Sequence, residues 1–110
     1  MNEPLDWVAL RAQCAGDEQL VSELISLFLR QVDGQLNDVS VAVAARDGVA
    51  LGDAAHRLKG ALVALAAGPA SALAVALENS ATPEKLHAAP ALLAELHAEI
   101  TRLVAALSTR

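Results

Sequence analysis

Apolar residues in this chain recur every three or four positions, segment after segment. That spacing follows the 3.6-residue turn of an α-helix with one buried stripe, and it conflicts with the alternation of a half-buried strand. The longest run, Val21, Ile25, Phe28, Val32, Leu36, Val39 and Val43, predicts a helix over residues 17–45, with Leu20, Leu24 and Leu27 widening its stripe in the first half. Asp33-Gly34 lies inside this run. Glycine costs about 1 kcal/mol in a helix interior, so a break is the alternative there, but the unbroken stripe predicts one helix. Leu51, Ala55, Leu58, Leu62 and Leu65 form the seam of a helix over 49–67. Leu73 and Leu77 face inward from another over 69–79, and Leu93, Leu96, Ile100, Leu103 and Leu107 define a last one. Leu5, Trp7, Val8 and Leu10 mark a short opening helix over 4–13.

Local signals separate these segments. Gly16-Asp17 ends one element and caps the next, Asp47-Gly48 reads as a turn, and Gly68 closes the helix before it. Pro69 stands at a first-turn position, where its missing N–H does no harm. Thr82-Pro83-Glu84 is a further start signal that Pro90 interrupts, which predicts a turn or short helical piece before the last helix. Twenty-five alanines, 2% aromatics and no tyrosine leave few strand-favouring residues. The expected fold is all-α: an antiparallel up-down four-helix bundle with an additional short N-terminal helix, in a single domain over 1–110.

A net charge of -5, with eight Lys and Arg scattered along the chain, gives no basic footprint for nucleic acid or an anionic membrane. Protein partners are expected instead. Residues 60–77 carry no charge, but Gly68-Pro69 divides them, and two buried helices account for them better than a membrane span. The first residues lack the basic start and apolar run of a secretion signal. The single Cys14 suits a reducing compartment and a small apolar role under the first helix, so a cytoplasmic location is expected. Neither a phosphate-binding glycine loop nor an acidic cluster for Mg²⁺ is present in the sequence, which predicts no ATP site and no cofactor of its own.

The stretch LGDAAHRLKGALV, residues 51–63, sets a histidine midway between two glycines. Stepping 100° per residue from the leucine seam puts His56 near 140°, on the outward side, together with Val49, Gly52, Lys59, Gly60, Val63 and Ala67. Gly52 and Gly60 lie one turn to either side of it. Two glycines cost this helix on the order of 2 kcal/mol against alanine, so even a methyl group is expected to be unwelcome there, as it would be if another molecule came close to the imidazole. A neutral imidazole, with an ordinary pKa of about 6.5, offers one lone pair near pH 7. Lys59 would put positive charge where a phosphoryl group joined to that nitrogen gathers negative charge. Val49, Gly52, Val63 and Ala67 make an apolar collar suited to a docking protein.

AHRLKGA, residues 55–61, resembles the signature of histidine phosphotransfer (HPt) domains, commonly A-H-x-L-K-G-S. GDEQLVSELISLF, residues 16–28, resembles the family's second-helix opening, and ALEN, residues 76–79, its fourth-helix end. The resemblance implies that His56 accepts a phosphoryl group from a receiver-domain aspartate and passes it to a response-regulator aspartate. Lys59 would then assist electrostatically, and Gly60 would let the receiver close over the ring. It implies receiver domains as partners, a hybrid sensor histidine kinase among their sources, with Mg²⁺ supplied by the receiver and a monomeric carrier, free or as the terminal module of a membrane sensor kinase. Ala61, where Ser is frequent, and Ala66, where Gly often precedes an Ala, depart from the pattern.

Two other readings stay open. One is a kinase-substrate HPt domain of a chemotaxis-type kinase; the other, a non-catalytic helical interaction module, has no use for Gly52 and Gly60 beside an exposed histidine. His87 and His97 show no i, i+4 pairing that would begin a metal site with His56. Trp7 reads as a core or end plug, and Arg46, Asp53 and Arg57 as a solvated side of the 49–67 helix, with a minor role in orienting a receiver as the alternative.

Overall fold

The computed structural model describes residues 3–109, and its elements are helical throughout: α1 (Trp7–Gln13), α2 (Glu18–Ala45), α3 (Gly48–Ala64), α4 (Gly68–Asn79), a single 3₁₀ turn (Leu86–Ala88) and α5 (Ala89–Ser108). Helices α2 to α5 close a ring in which α3 packs on α2 and α4, and α5 on α4 and α2. Short connections make neighbours antiparallel. The core is the leucine seam the spacing predicts: Leu51, Leu58, Leu62, Leu65, Leu77, Leu96 and Leu103 are wholly buried, with Val21 and Val39 from α2.

Capping side chains start the first three helices. Asp6 accepts from the Ala9 amide at 3.0 Å, Asp17 from Gln19 and Leu20 at 3.0 and 3.2 Å, and Asp47 from Ala50 at 3.1 Å. The opening helix therefore begins at Trp7 and not at Pro4. Pro69 and Pro90 sit in the first turns of α4 and α5, and the 3₁₀ turn Leu86–Ala88 is the short helical piece expected ahead of the last helix. Helix α2 runs unbroken through Gly34. Its stripe ends on Ala42, three residues after Val39, and Val43 is only half-buried.

The widened stripe is a correction. Leu20 and Leu27 are exposed and Leu24 half-buried. Arg57 of α3 pairs with Asp38 of α2 at 3.7 Å. Leu20 and Leu27 lie roughly 100° off the buried stripe of α2, on the side where Val41 is exposed as well. At the N-terminal end of the bundle α1 supplies Leu10 to the core, and Cys14 and Leu5 are buried with it. Trp7 packs partly on the core with the Arg11 guanidinium 5.8 Å from its ring centroid, and the Asp6 amide ties the start of α1 to the Ala66 carbonyl at 3.0 Å.

Arg46, not Gly48, makes the α2–α3 turn, at φ 53°. Gly48 is the first residue of α3, where a Cβ would stand 3.1 Å from the Ala81 carbonyl oxygen. The other end of α3 also differs from expectation. It stops at Ala64 because Ala66 adopts φ 55°, with the Ala67 amide donating to Leu62 and the Ala66 amide to Val63. This is the Schellman arrangement, with alanine in the left-handed position that glycine usually fills. Ala66→Gly should relieve the Cβ clash and raise unfolding free energy by about 1 kcal/mol, read as a higher urea midpoint at unchanged slope. An unchanged or lower midpoint would contradict the strain assigned to Ala66.

Candidate functional site

The four buried seam residues of α3 dictate which side of that helix faces water. Ala55 and Leu58 point inward and are wholly buried, so His56 between them projects outward, with 65% of its side chain exposed. Gly52 and Gly60 stand one turn to either side, as the spacing predicts. A Cβ added at Gly60 would meet nothing within 4 Å, and one at Gly52 would make ordinary contact with the Ala81 methyl at 3.6 Å. The chain's own packing thus has room for a methyl at both positions. An open depression of about 600 Å³, lined by Gly52, Asp53, His56, Arg57 and Glu78, lies over the ring.

Across this depression α4 presents Glu78. Its Oε2 lies 2.9 Å from His56 Nδ1, and its Oε1 accepts from the Lys59 ammonium at 3.2 Å. Glu78 and Lys59 are each about 70% covered, with 29% and 28% of their side chains exposed. The Lys59 hydrogen bond, helped by that of His56, holds the Glu78 carboxyl below its ordinary value of 4.5 against partial desolvation. An ionised carboxylate can only accept, so Nδ1 carries the proton it shares with Glu78. In the neutral ring this leaves the lone pair on Nε2.

Lys59 consequently has its charge engaged by Glu78, whereas the sequence placed it free beside the imidazole. Glu78 itself was quoted in the sequence only as part of ALEN, with no role. Its signal is that α4 carries one charged residue in twelve, and that residue is Glu78.

Of the expected collar, Val49 and Val63 are exposed, at 79% and 55%, and Gly52 borders the depression. Ala67 does not belong to it. α3 ends before reaching it, the chain turns inward through Ala66, and Ala67 is wholly buried at the start of α4. Val75, exposed on α4 one turn before Glu78, was not foreseen. His87 and His97 are exposed on other segments, with His97 Nε2 3.4 Å from the Ser40 hydroxyl, and neither meets His56. Among the described residues no group of His, Cys, Asp and Glu side chains could hold a metal ion, and no helix is long and apolar enough to cross a membrane.

No curated protein and no solved structure matches the chain. A family model does: that of the Hpt domain, over residues 23–106, a span from the second turn of α2 to the last turn of α5 that takes in the whole His56 depression. A match of that extent, on a helical bundle with no strand among its described residues, places the chain in the Hpt domain family, whose members are phosphotransfer carriers of two-component signalling that work with receiver domains and are not kinases with an ATP site of their own.

Proposed function

We propose that His56 Nε2 is the atom that takes a phosphoryl group from a receiver-domain aspartate and hands it to the aspartate of a response regulator. The observation that carries this reading is the 2.9 Å contact between Nδ1 and Glu78, which leaves the lone pair on the other nitrogen of a 65% exposed ring. The Nε2 lone pair forms a bond to phosphorus as the phosphorus–oxygen bond of the aspartyl phosphate breaks, and the aspartate leaves as a carboxylate with that electron pair. The ring keeps its Nδ1 proton and gains positive charge, which the Glu78 carboxylate faces directly. Transfer onward is the reverse step on a second receiver.

Glu78 and Lys59 are positioning residues in this scheme. Glu78 sets the tautomer and ring orientation, and Lys59 keeps Glu78 ionised and in place, acting on the imidazole through the carboxylate. Gly52 and Gly60 leave the approach along the helix clear on both sides of the ring. The receiver would contribute the Mg²⁺ and acidic pocket that lower the barrier at phosphorus.

A receiver domain carrying radiolabelled phosphate on its aspartate, mixed with this protein, should pass the label to it in a linkage that acid breaks and base spares, as expected of phosphohistidine. No label on this chain, or a label that base removes, would overturn the assignment.

A further inference from the structure

We infer that Gly48, the first residue of α3, is a positioning residue for phosphoryl transfer: having no side chain, it lets the turn that ends α4 close onto α3, and that closure sets how Glu78 reaches the imidazole. This rests on the role proposed for His56, and it names what holds the Glu78 contact at its distance.

Gly48, Gly52 and His56 follow one another a turn apart and form a row along one side of α3. Opposite His56 the row meets Glu78, whose Oε2 is 2.9 Å from Nδ1. Opposite Gly52 it meets the Ala81 methyl, 3.6 Å from where a Cβ would stand, and opposite Gly48 the Ala81 carbonyl, with its oxygen 3.1 Å and its carbon 3.6 Å from such a Cβ. Glu78 and Ala81 belong to one hydrogen-bonded turn, because the Ala81 amide donates to the Glu78 carbonyl at 3.2 Å. Between them the buried Ser80 donates its amide to Ala76 at 3.0 Å and its hydroxyl to Leu77 at 2.7 Å, which holds the turn from within. A displacement of Ala81 is therefore passed to the backbone of Glu78.

The backbone at Gly48 does not call for glycine. Among the described residues Gly16 is the one glycine with a positive φ, and Asp47 already caps the start of α3. The neighbouring carbonyl calls for it instead. A separation of 3.1 Å is shorter than the about 3.3–3.6 Å at which a carbon and a carbonyl oxygen settle, and a backbone oxygen cannot rotate away as the end of a side chain can. A methyl at position 48 must lift the turn off α3 by a few tenths of an ångström, and a valine must lift it further. Glu78 has little freedom to follow, since its second oxygen is held by Lys59 at 3.2 Å. Gly68 provides the contrast: it too is the first residue of a helix, α4, but a Cβ there meets nothing within 4 Å.

The test uses phosphoramidate, a small phosphoryl donor that needs no docking and so reports on the imidazole alone. Gly48→Val should lower its labelling rate about tenfold and Gly48→Ala about threefold, because small misplacements beside a reacting group are costly. Gly68→Ala should label at the wild-type rate, with the helical circular dichroism unchanged in all three. The ring nitrogen shifts should move in parallel, from the Nδ1-protonated form in wild type toward a mixture in Gly48→Val. Added to Glu78→Leu, Gly48→Val should slow labelling no further. Wild-type rates and nitrogen shifts in both Gly48 variants would overturn the inference, as would a full additional loss in the Glu78→Leu background, which would make Gly48 a residue of the fold alone. Should valine unfold the protein, the rate and nitrogen shifts of Gly48→Ala decide by the same criteria. Failure of the wild-type protein to take label from phosphoramidate and from a phosphorylated receiver alike would instead defeat the reading of His56 itself.

Discussion

His56→Gln is expected to lose all detectable phosphoryl acceptance, a drop of at least about 10³-fold, while the bundle stays as stable as before. The two halves of this expectation come from the same fact. With 65% of its side chain in solvent and its backbone inside α3, the imidazole contributes little to the core, and an exposed substitution of this kind changes stability by no more than about 0.5 kcal/mol. Glutamine is a good helix former and keeps a polar group opposite Glu78. It has no lone pair of comparable nucleophilicity to place where Nε2 stood. His87 and His97 cannot stand in, because neither borders the depression that Gly52, Asp53 and Arg57 shape. Label transfer and thermal unfolding measured side by side decide the matter: persistent labelling of the variant removes His56 from the mechanism, and a collapse of Tm shows that the histidine served the fold.

How much of this was legible in the sequence depends on the range of the interaction. The leucine seam of α3 needs only the helical period, and it alone turned His56 outward, so the histidine and its two glycines were readable from residues 51–63. The start of α2 was readable as well, because Asp17 acts on amides two or three residues away, whereas Asp47 was read as part of a turn and the capping by Asp6 was missed, so that the opening helix was started at Pro4. The end of α3 was not, since Ala66 adopts a left-handed backbone that its side chain gives no hint of, and Ala67 was drawn into the docking face for that reason. Leu20 and Leu27 were misplaced because they were counted into the stripe as apolar residues, although they lie roughly 100° off its centre, where Val41 is exposed too. Glu78 lies furthest from reach. Its hydrogen bond to His56 spans 22 residues and exists only once α3 and α4 have settled their register. A lone carboxylate on an otherwise uncharged helix was the trace it left.

That carboxylate gives the second large effect. Glu78→Leu removes the acceptor of the Nδ1 proton, and the ring is then free to carry its proton on either nitrogen and to turn about its bonds to the backbone. Transfer should fall about 10²-fold, in both directions, as is typical when a preorganised charge next to the reacting group is lost. Glu78→Gln separates the two contributions, because its amide oxygen can still accept from Nδ1 but no longer faces the positive ring with a charge. Its loss should be smaller, about tenfold. Lys59→Met is informative in combination. If Lys59 acts through Glu78, as its 3.2 Å hydrogen bond implies, it should slow transfer in the wild-type background and add nothing once residue 78 is leucine. A full additional loss there would mean that the ammonium works on the phosphoryl group directly. The carboxyl's acidity sets the pH range for these comparisons. Its folded value lies below the ordinary 4.5, so any stability it lends the fold is present above that value and is lost only as pH falls through the lowered one. Near neutrality Glu78 is therefore ionised in every protein that retains it, and the differences report the carboxylate and not its titration. Ring nitrogen shifts give the independent check: the Nδ1-protonated form should dominate in wild type and give way to a mixture in Glu78→Leu, and equal spectra would detach Glu78 from the tautomer.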